Sequence, residues 1–112
     1  MAELLIKGGM VIDGTGNAGY EADVFVKDGK IAKIGTDLTN CVAGNVQVLD
    51  AKGKIVTPGF INMHSHSDCS VAMYPEMEST LGQGITTEFA GHCGLGVAPV
   101  DKYWLYMFPE KR

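Results

Sequence analysis

Residues 22–35, ADVFVKDGKIAKIG, place two β-rich runs on either side of Asp28 and Gly29, a dipeptide suited to the two positive-φ positions of a type I′ turn. A chain with this segment has to build at least one tight antiparallel hairpin. Neighbouring segments extend the pattern. Residues 3–13, ELLIKGGMVID, read as two short strands hinged at Gly8 and Gly9, and GTGNAGY fills a turn region over 14–20. Residues 46–59, VQVLDAKGKIVTPG, read as two more strands joined through Lys52 and Gly53. Residues 1–56 are therefore expected to form a small antiparallel β unit. The 15 glycines of this 112-residue chain favour many turns over long helices, so a strand-rich fold with one core is expected.

Pro58 and Gly59 mark a change of character, and a boundary near 57 separates residues 1–56 from 57–112. FINMHSH, residues 60–66, starts as a strand and ends in side chains of metal-ligand type. PEMESTLG, residues 75–82, has proline where a first helical turn tolerates it and early acidic residues that favour the helix dipole. A helix of two to three turns is expected there, stopped at Gly82 or Gly84. ITTEFAG, residues 85–91, is β-branched and apolar, a second strand that leads into His92 and Cys93. Strand, helix and strand in this order form a βαβ unit, which implies a parallel pair. DKYWLYMF, residues 101–108, predicts a final amphipathic or buried helix ended by Pro109.

Charge and cysteine usage limit the function classes. A net charge of -4 with no basic stripe gives nothing to track a phosphate backbone, so nucleic acid is not an expected partner. The first apolar run is cut by Lys7, too short for a signal h-region, and no segment approaches a membrane span. A cytoplasmic protein is expected. Cys41, Cys69 and Cys93 are odd in number and irregularly spaced, which argues for reduced thiols or a ligand over a disulfide framework.

In an extended strand, His64 and His66 project to the same side and can meet one ion. Imidazole suits zinc, copper, iron and nickel. Alone, an HxH pair is more often solvated or hydrogen-bonded than metal-bound. Cys93, following the parallel neighbour strand, adds a third donor and starts a zinc site. A buried free cysteine behaves as a small hydrophobe. Against that reading, Gly91, Gly94 and Gly96 let backbone come close to an ion or ligand. His92 points the other way if the strand persists, which gives it a structural or supporting part, while Cys41 and Cys69 read as inert.

Asp68 completes an HxHxD pattern that invites comparison with the metallo-β-lactamase fold, but Cys69 stands where that motif supplies a histidine. The polymerase-and-histidinol-phosphatase class also opens with HxH, without some 55 residues of β structure ahead of it. VLDAKGKIVTPGFINMHSH, a β unit leading through PGF into HxH, resembles the amidohydrolase superfamily. LLIKGGMVIDGTG and ADVFVKDGKIAKIG resemble the N-terminal β-sandwich strands of those enzymes, and TLGQGITTEFAGHCGLGVAPV is similar to the D-aminoacylase group of N-acyl-D-amino-acid deacylases. The resemblance covers nearly the whole chain.

It implies a mainly β fold with an α/β start: an amidohydrolase β-sandwich segment over 1–56, then over 57–112 the first one to two βα units of an incomplete (β/α)8 barrel. It implies His64 and His66 as zinc ligands from the first barrel strand, and Cys93 as the ligand able to bridge to a second ion. The remaining histidines and the aspartate general base of the family come from later strands, so they are expected beyond Arg112. The chain then reads as the N-terminal piece of an enzyme that hydrolyses N-acyl-D-amino acids, inactive alone and holding zinc weakly or not at all. Asn62 stands where the superfamily commonly has aspartate, and His92 where this group often has asparagine. The strand edges left open predict self-association. Dihydroorotase-like, hydantoinase-like, deaminase or metallo-β-lactamase-like chemistry, and a non-catalytic β-rich binding module, are the alternative readings.

Overall fold

The computed structural model describes residues 3–42 and 44–96, which group into two compact units, Met1–Pro58 and Gly59–Arg112. The helix expected over 101–108 lies outside the described residues. Among the described residues the fold is mainly β, and its helices are single turns.

In the first unit, β1 (Leu4–Val11), β2 (Tyr20–Lys27) and β3 (Lys30–Gly35) pair antiparallel in sequence. The β2–β3 hairpin turns at Asp28 and Gly29, with φ of 51° and 74°, the left-handed pair that the type I′ reading requires. Leu4–Val11 is one strand where two were expected. A bulge between Ile6 and Gly9 absorbs the glycine pair, with Gly8 at φ 69°. Gly9 is needed for space, since a Cβ there would meet Val56 and lie 3.1 Å from Ala51 Cβ.

The expected all-antiparallel unit is corrected to a mixed sheet. Its order is β3-β2-β1-β4, with β4 (Gln47–Asp50) and β5 (Ile55–Val56) both running parallel to β1. These last two strands do not form a hairpin with each other; they follow one another along the free edge of β1. The cause is the connection after β3, which carries the chain from one edge of the sheet to the other and so sets the new strands parallel. Along it a 3-10 turn, Leu38–Cys41, drops Leu38 onto Leu5 and Phe25, with Val42 and Val46 packed beside them. Val11, Ala22 and Val24 form a second cluster with Ile6, Val26 and Val56. Because residues 22–25 are buried in succession, β2 is covered on both faces.

Asp23 is the buried charge of this unit, 4% exposed. Its Oδ1 accepts from Gly8 N–H at 2.8 Å and its Oδ2 from Leu38 N–H at 2.9 Å. One carboxylate thus satisfies the bulge and the start of the 3-10 turn, two backbone donors that no strand partner could reach.

The second unit is a βαβ arrangement. β6 (Phe60–Asn62) and β7 (Ile85–Glu88) pair parallel, as the strand–helix–strand pattern implied. Between them lie α1 (Ser67–Ser70) and α2 (Glu78–Leu81). The expected two- to three-turn helix from Pro75 is reduced to one turn. Met77 takes a left-handed conformation at φ 48° and breaks the helix start, and Gly84, at φ 77°, lies beyond its end. β6 and β7 approach so closely at Gly59 that a Cβ there would lie 2.7 Å from Thr86 Cβ.

Candidate metal centre

β6 ends at Asn62, so His64 and His66 both stand on the loop that follows it, beyond the strand that the alternation argument requires. The same-side projection inside a strand is therefore corrected. The loop brings the rings together by another route: their centroids are 5.6 Å apart, edge to face. Backbone pairing past the strand ends holds this loop, with Phe89 N–H donating to Asn62 C=O and Ser65 N–H donating to Phe89 C=O, each at 2.9 Å.

Cys93 lies five residues beyond β7 in a tight turn closed by Leu95 N–H on His92 C=O at 2.9 Å. Cys93 and Gly94 both have positive φ, 56° and 72°. A left-handed cysteine is costly, and it aims the thiol back at the histidine loop. Its Sγ sits 3.4 Å from His64 Nε2. Among the described residues, His64, His66 and Cys93 form a group whose donor atoms all lie within 4.8 Å of one another, each on an exposed side chain.

The donor set fits a zinc ion. Tetrahedral coordination at ordinary Zn–N and Zn–S distances separates neighbouring donors by about 3.3–3.8 Å. The Cys93–His64 pair already has that spacing. Three such donors leave a fourth position open, the pattern of a catalytic site.

His92 stacks on His64, with ring centroids 4.3 Å apart and 23° between planes. Its Nε2 is buried without a hydrogen-bond partner among the described residues, as is Asp68 Oδ1. Cys69 is half-buried, its Sγ donating to Leu95 C=O at 3.5 Å, and Cys41 is exposed beside Lys33 Nζ at 3.3 Å. Neither joins the donor group.

Three further residues shape the loop. Asn62 Oδ1 accepts from His64 N–H at 3.3 Å, and Asn62 Nδ2 donates to Glu88 Oε1 at 3.4 Å. Ser65, 9% exposed between the two histidines, donates its hydroxyl to Glu88 Oε2 at 2.9 Å and accepts from Ser67 N–H at 2.9 Å. Hydrogen bonds from Ser67 and Ser65, with smaller ones from Asn62 and Thr80, hold the Glu88 carboxyl below its ordinary value against the desolvation that raises it. Sequence reasoning passed over Ser65 and Glu88. Their signal was present, as a charged residue closing the β-branched run ITTE and a small hydroxyl alternating with two histidines.

Residues 47–109 match the model of the amidohydrolase family. An N-acyl-D-aspartate deacylase of Alcaligenes xylosoxydans xylosoxydans is 39% identical over 90% of this chain and 20% of its own length. An N-acyl-D-glutamate deacylase of the same organism is 44% identical over 87% of this chain and 19% of its own length. Among solved structures, a D-aminoacylase with a binuclear metal centre superposes with a TM-score of 0.79 at 40% identity, over 87% of this chain and 20% of that one. An N-acyl-D-glutamate deacylase from Bordetella bronchiseptica, complexed with zinc and a phosphonate that mimics the tetrahedral intermediate, superposes with a TM-score of 0.77 at 44% identity, over 86% of this chain and 20% of that one. The chain spans about a fifth of the length of the curated relatives it matches.

Proposed function

The chain belongs to the amidohydrolase family, and on that premise we propose that its chemistry is the zinc-dependent hydrolysis of N-acyl-D-amino acids to a D-amino acid and a carboxylate. The observation that carries this reading is the convergence of His64, His66 and Cys93 donors from two neighbouring strand ends. The deacylase names of the relatives support the substrate class. In this reading residues 1–56 are a β-sandwich segment, and residues 57–112 open a (β/α)8 barrel whose C-terminal strand ends carry the site.

Zinc held there would supply a water of lowered pKa and polarise the amide carbonyl. This chain's part would be to hold the ion, with the imidazoles of His64 and His66 as nitrogen donors and Cys93 as a soft sulfur donor. The turn around Gly94 leaves the donor side exposed to an incoming substrate. Three free thiols favour a reducing, cytoplasmic setting. Phe60 and Ile61, each 57% exposed, leave β6 with an apolar surface suited to self-association.

A chimaera tests the proposal. Residues 1–96 replace the matching first fifth of the Alcaligenes N-acyl-D-glutamate deacylase, and hydrolysis of N-acyl-D-amino acids is assayed. Zinc-dependent release of D-amino acid, abolished by Cys93→Ala in the transplanted segment, is the expected result. A folded, zinc-loaded chimaera without deacylase activity contradicts it.

A further inference from the structure

Glu88 ends β7 and is not one of the three clustered donors, yet both of its oxygens reach the histidine loop. Oε2 accepts from the Ser65 hydroxyl at 2.9 Å, and that hydroxyl in turn accepts from Ser67 N–H at 2.9 Å. Oε1 accepts from Asn62 Nδ2 at 3.4 Å, which turns Asn62 Oδ1 toward His64 N–H at 3.3 Å. The polarity of this network follows from the carboxylate. An ionised carboxylate only accepts, so Asn62 turns its amide nitrogen, and Ser65 its hydroxyl proton, toward Glu88. That choice leaves Asn62 Oδ1 for the backbone of His64 and the Ser65 lone pairs for Ser67. A neutral amide at position 88 could pair with Asn62 in either orientation and would lose this selection.

We propose that Glu88 is a positioning residue that sets the conformation of the 62–67 loop, and with it the spacing of His64 and His66, through Asn62 and Ser65. The inference rests on the metal reading of His64, His66 and Cys93 but concerns different residues. The ladder supports it. Ser65 N–H is already tied to Phe89 C=O and Phe89 N–H to Asn62 C=O, so the backbone of the loop is registered against β7 at the residue next to Glu88. Side chain and backbone of β7 thus act on the same six residues. Groups that orient a metal site's ligands from outside typically change metal affinity by about 10- to 100-fold when removed.

The test uses the full 112-residue chain with cobalt(II) as the probe, read by its visible and near-ultraviolet absorption. The variants are Glu88→Gln, Glu88→Ala, Glu88→Asp and Ser65→Ala. Glu88→Gln and Ser65→Ala are expected to weaken cobalt binding by about 10- to 100-fold. The thiolate charge-transfer band of Cys93 stays, and the visible bands from the changed histidine geometry shift. Glu88→Asp, which keeps an acceptor-only group, is expected to restore part of the affinity that Glu88→Ala loses, a rescue that a space-filling role would not give. In the metal-free chain, amide exchange at Ser67 is expected to quicken by about tenfold in Glu88→Gln while β6–β7 amides keep their protection. Unchanged affinity, unchanged bands and unchanged Ser67 exchange in Glu88→Gln overturn the inference. A wild-type chain that binds no cobalt overturns the metal reading instead, and the Ser67 exchange then still decides whether Glu88 sets the loop.

Discussion

Cys93 Sγ lies 3.4 Å from His64 Nε2 across 29 residues of sequence, and the left-handed turn at Cys93 and Gly94 is what aims it there. If this contact is the seed of a metal site, the three cysteines of the chain differ in kind. Titration with cobalt(II) should raise a thiolate charge-transfer band that Cys93→Ser abolishes. Cys41→Ser and Cys69→Ser should leave it, because neither sulfur joins the donor group.

Asp23 serves two buried backbone donors with one carboxylate. Asp23→Ala strands both and should destabilise the first unit by about 3 kcal/mol, with Asp23→Asn costing less because one amide oxygen still accepts. Urea denaturation of the variants checks the order.

Gly59 has no room for a side chain against Thr86. Gly59→Ala should push β6 from β7 and cost the second unit about 2 kcal/mol by overpacking. The double variant Gly59→Ala/Thr86→Ala should recover part of that loss by removing the hydroxyl and methyl groups that crowd the new Cβ, measurable as amide protection in β7.

Hydrogen bonds hold the Glu88 carboxyl below the ordinary 4.5, so its network favours the folded state most when Glu88 is ionised. A depressed folded value means the contribution is fully present above the unfolded value and is lost as pH falls through the folded one. The stability difference between wild type and Glu88→Gln should therefore be constant near neutrality and shrink only in acid below about 4.5. A difference that vanishes above pH 6 would contradict the assignment.

Local chemistry made much of this structure legible. Asp28-Gly29 specified its hairpin, because few dipeptides accept two left-handed positions, and the β-branched run at 85–88 specified a strand. The parallel placement of β4 was not legible, since it depends on where the connection after β3 crosses and on Leu38 finding Leu5 and Phe25. The same holds for α2, where Met77 accepts a left-handed conformation that its side chain does not favour. At the site, the residue types His64, His66 and Cys93 were readable from motif and turn glycines. Their loop geometry was not, because it is set by Glu88 and Ser65 through contacts 23 residues apart in sequence.

The most direct test of the account is zinc bound at equilibrium by the wild-type chain, by Cys93→Ala and by His64→Ala/His66→Ala, using dialysis with metal analysis near neutral pH. The account predicts one site-specific zinc in the wild type, weakly held, and its loss in both variants. Zinc bound equally by the wild type and both variants would contradict it.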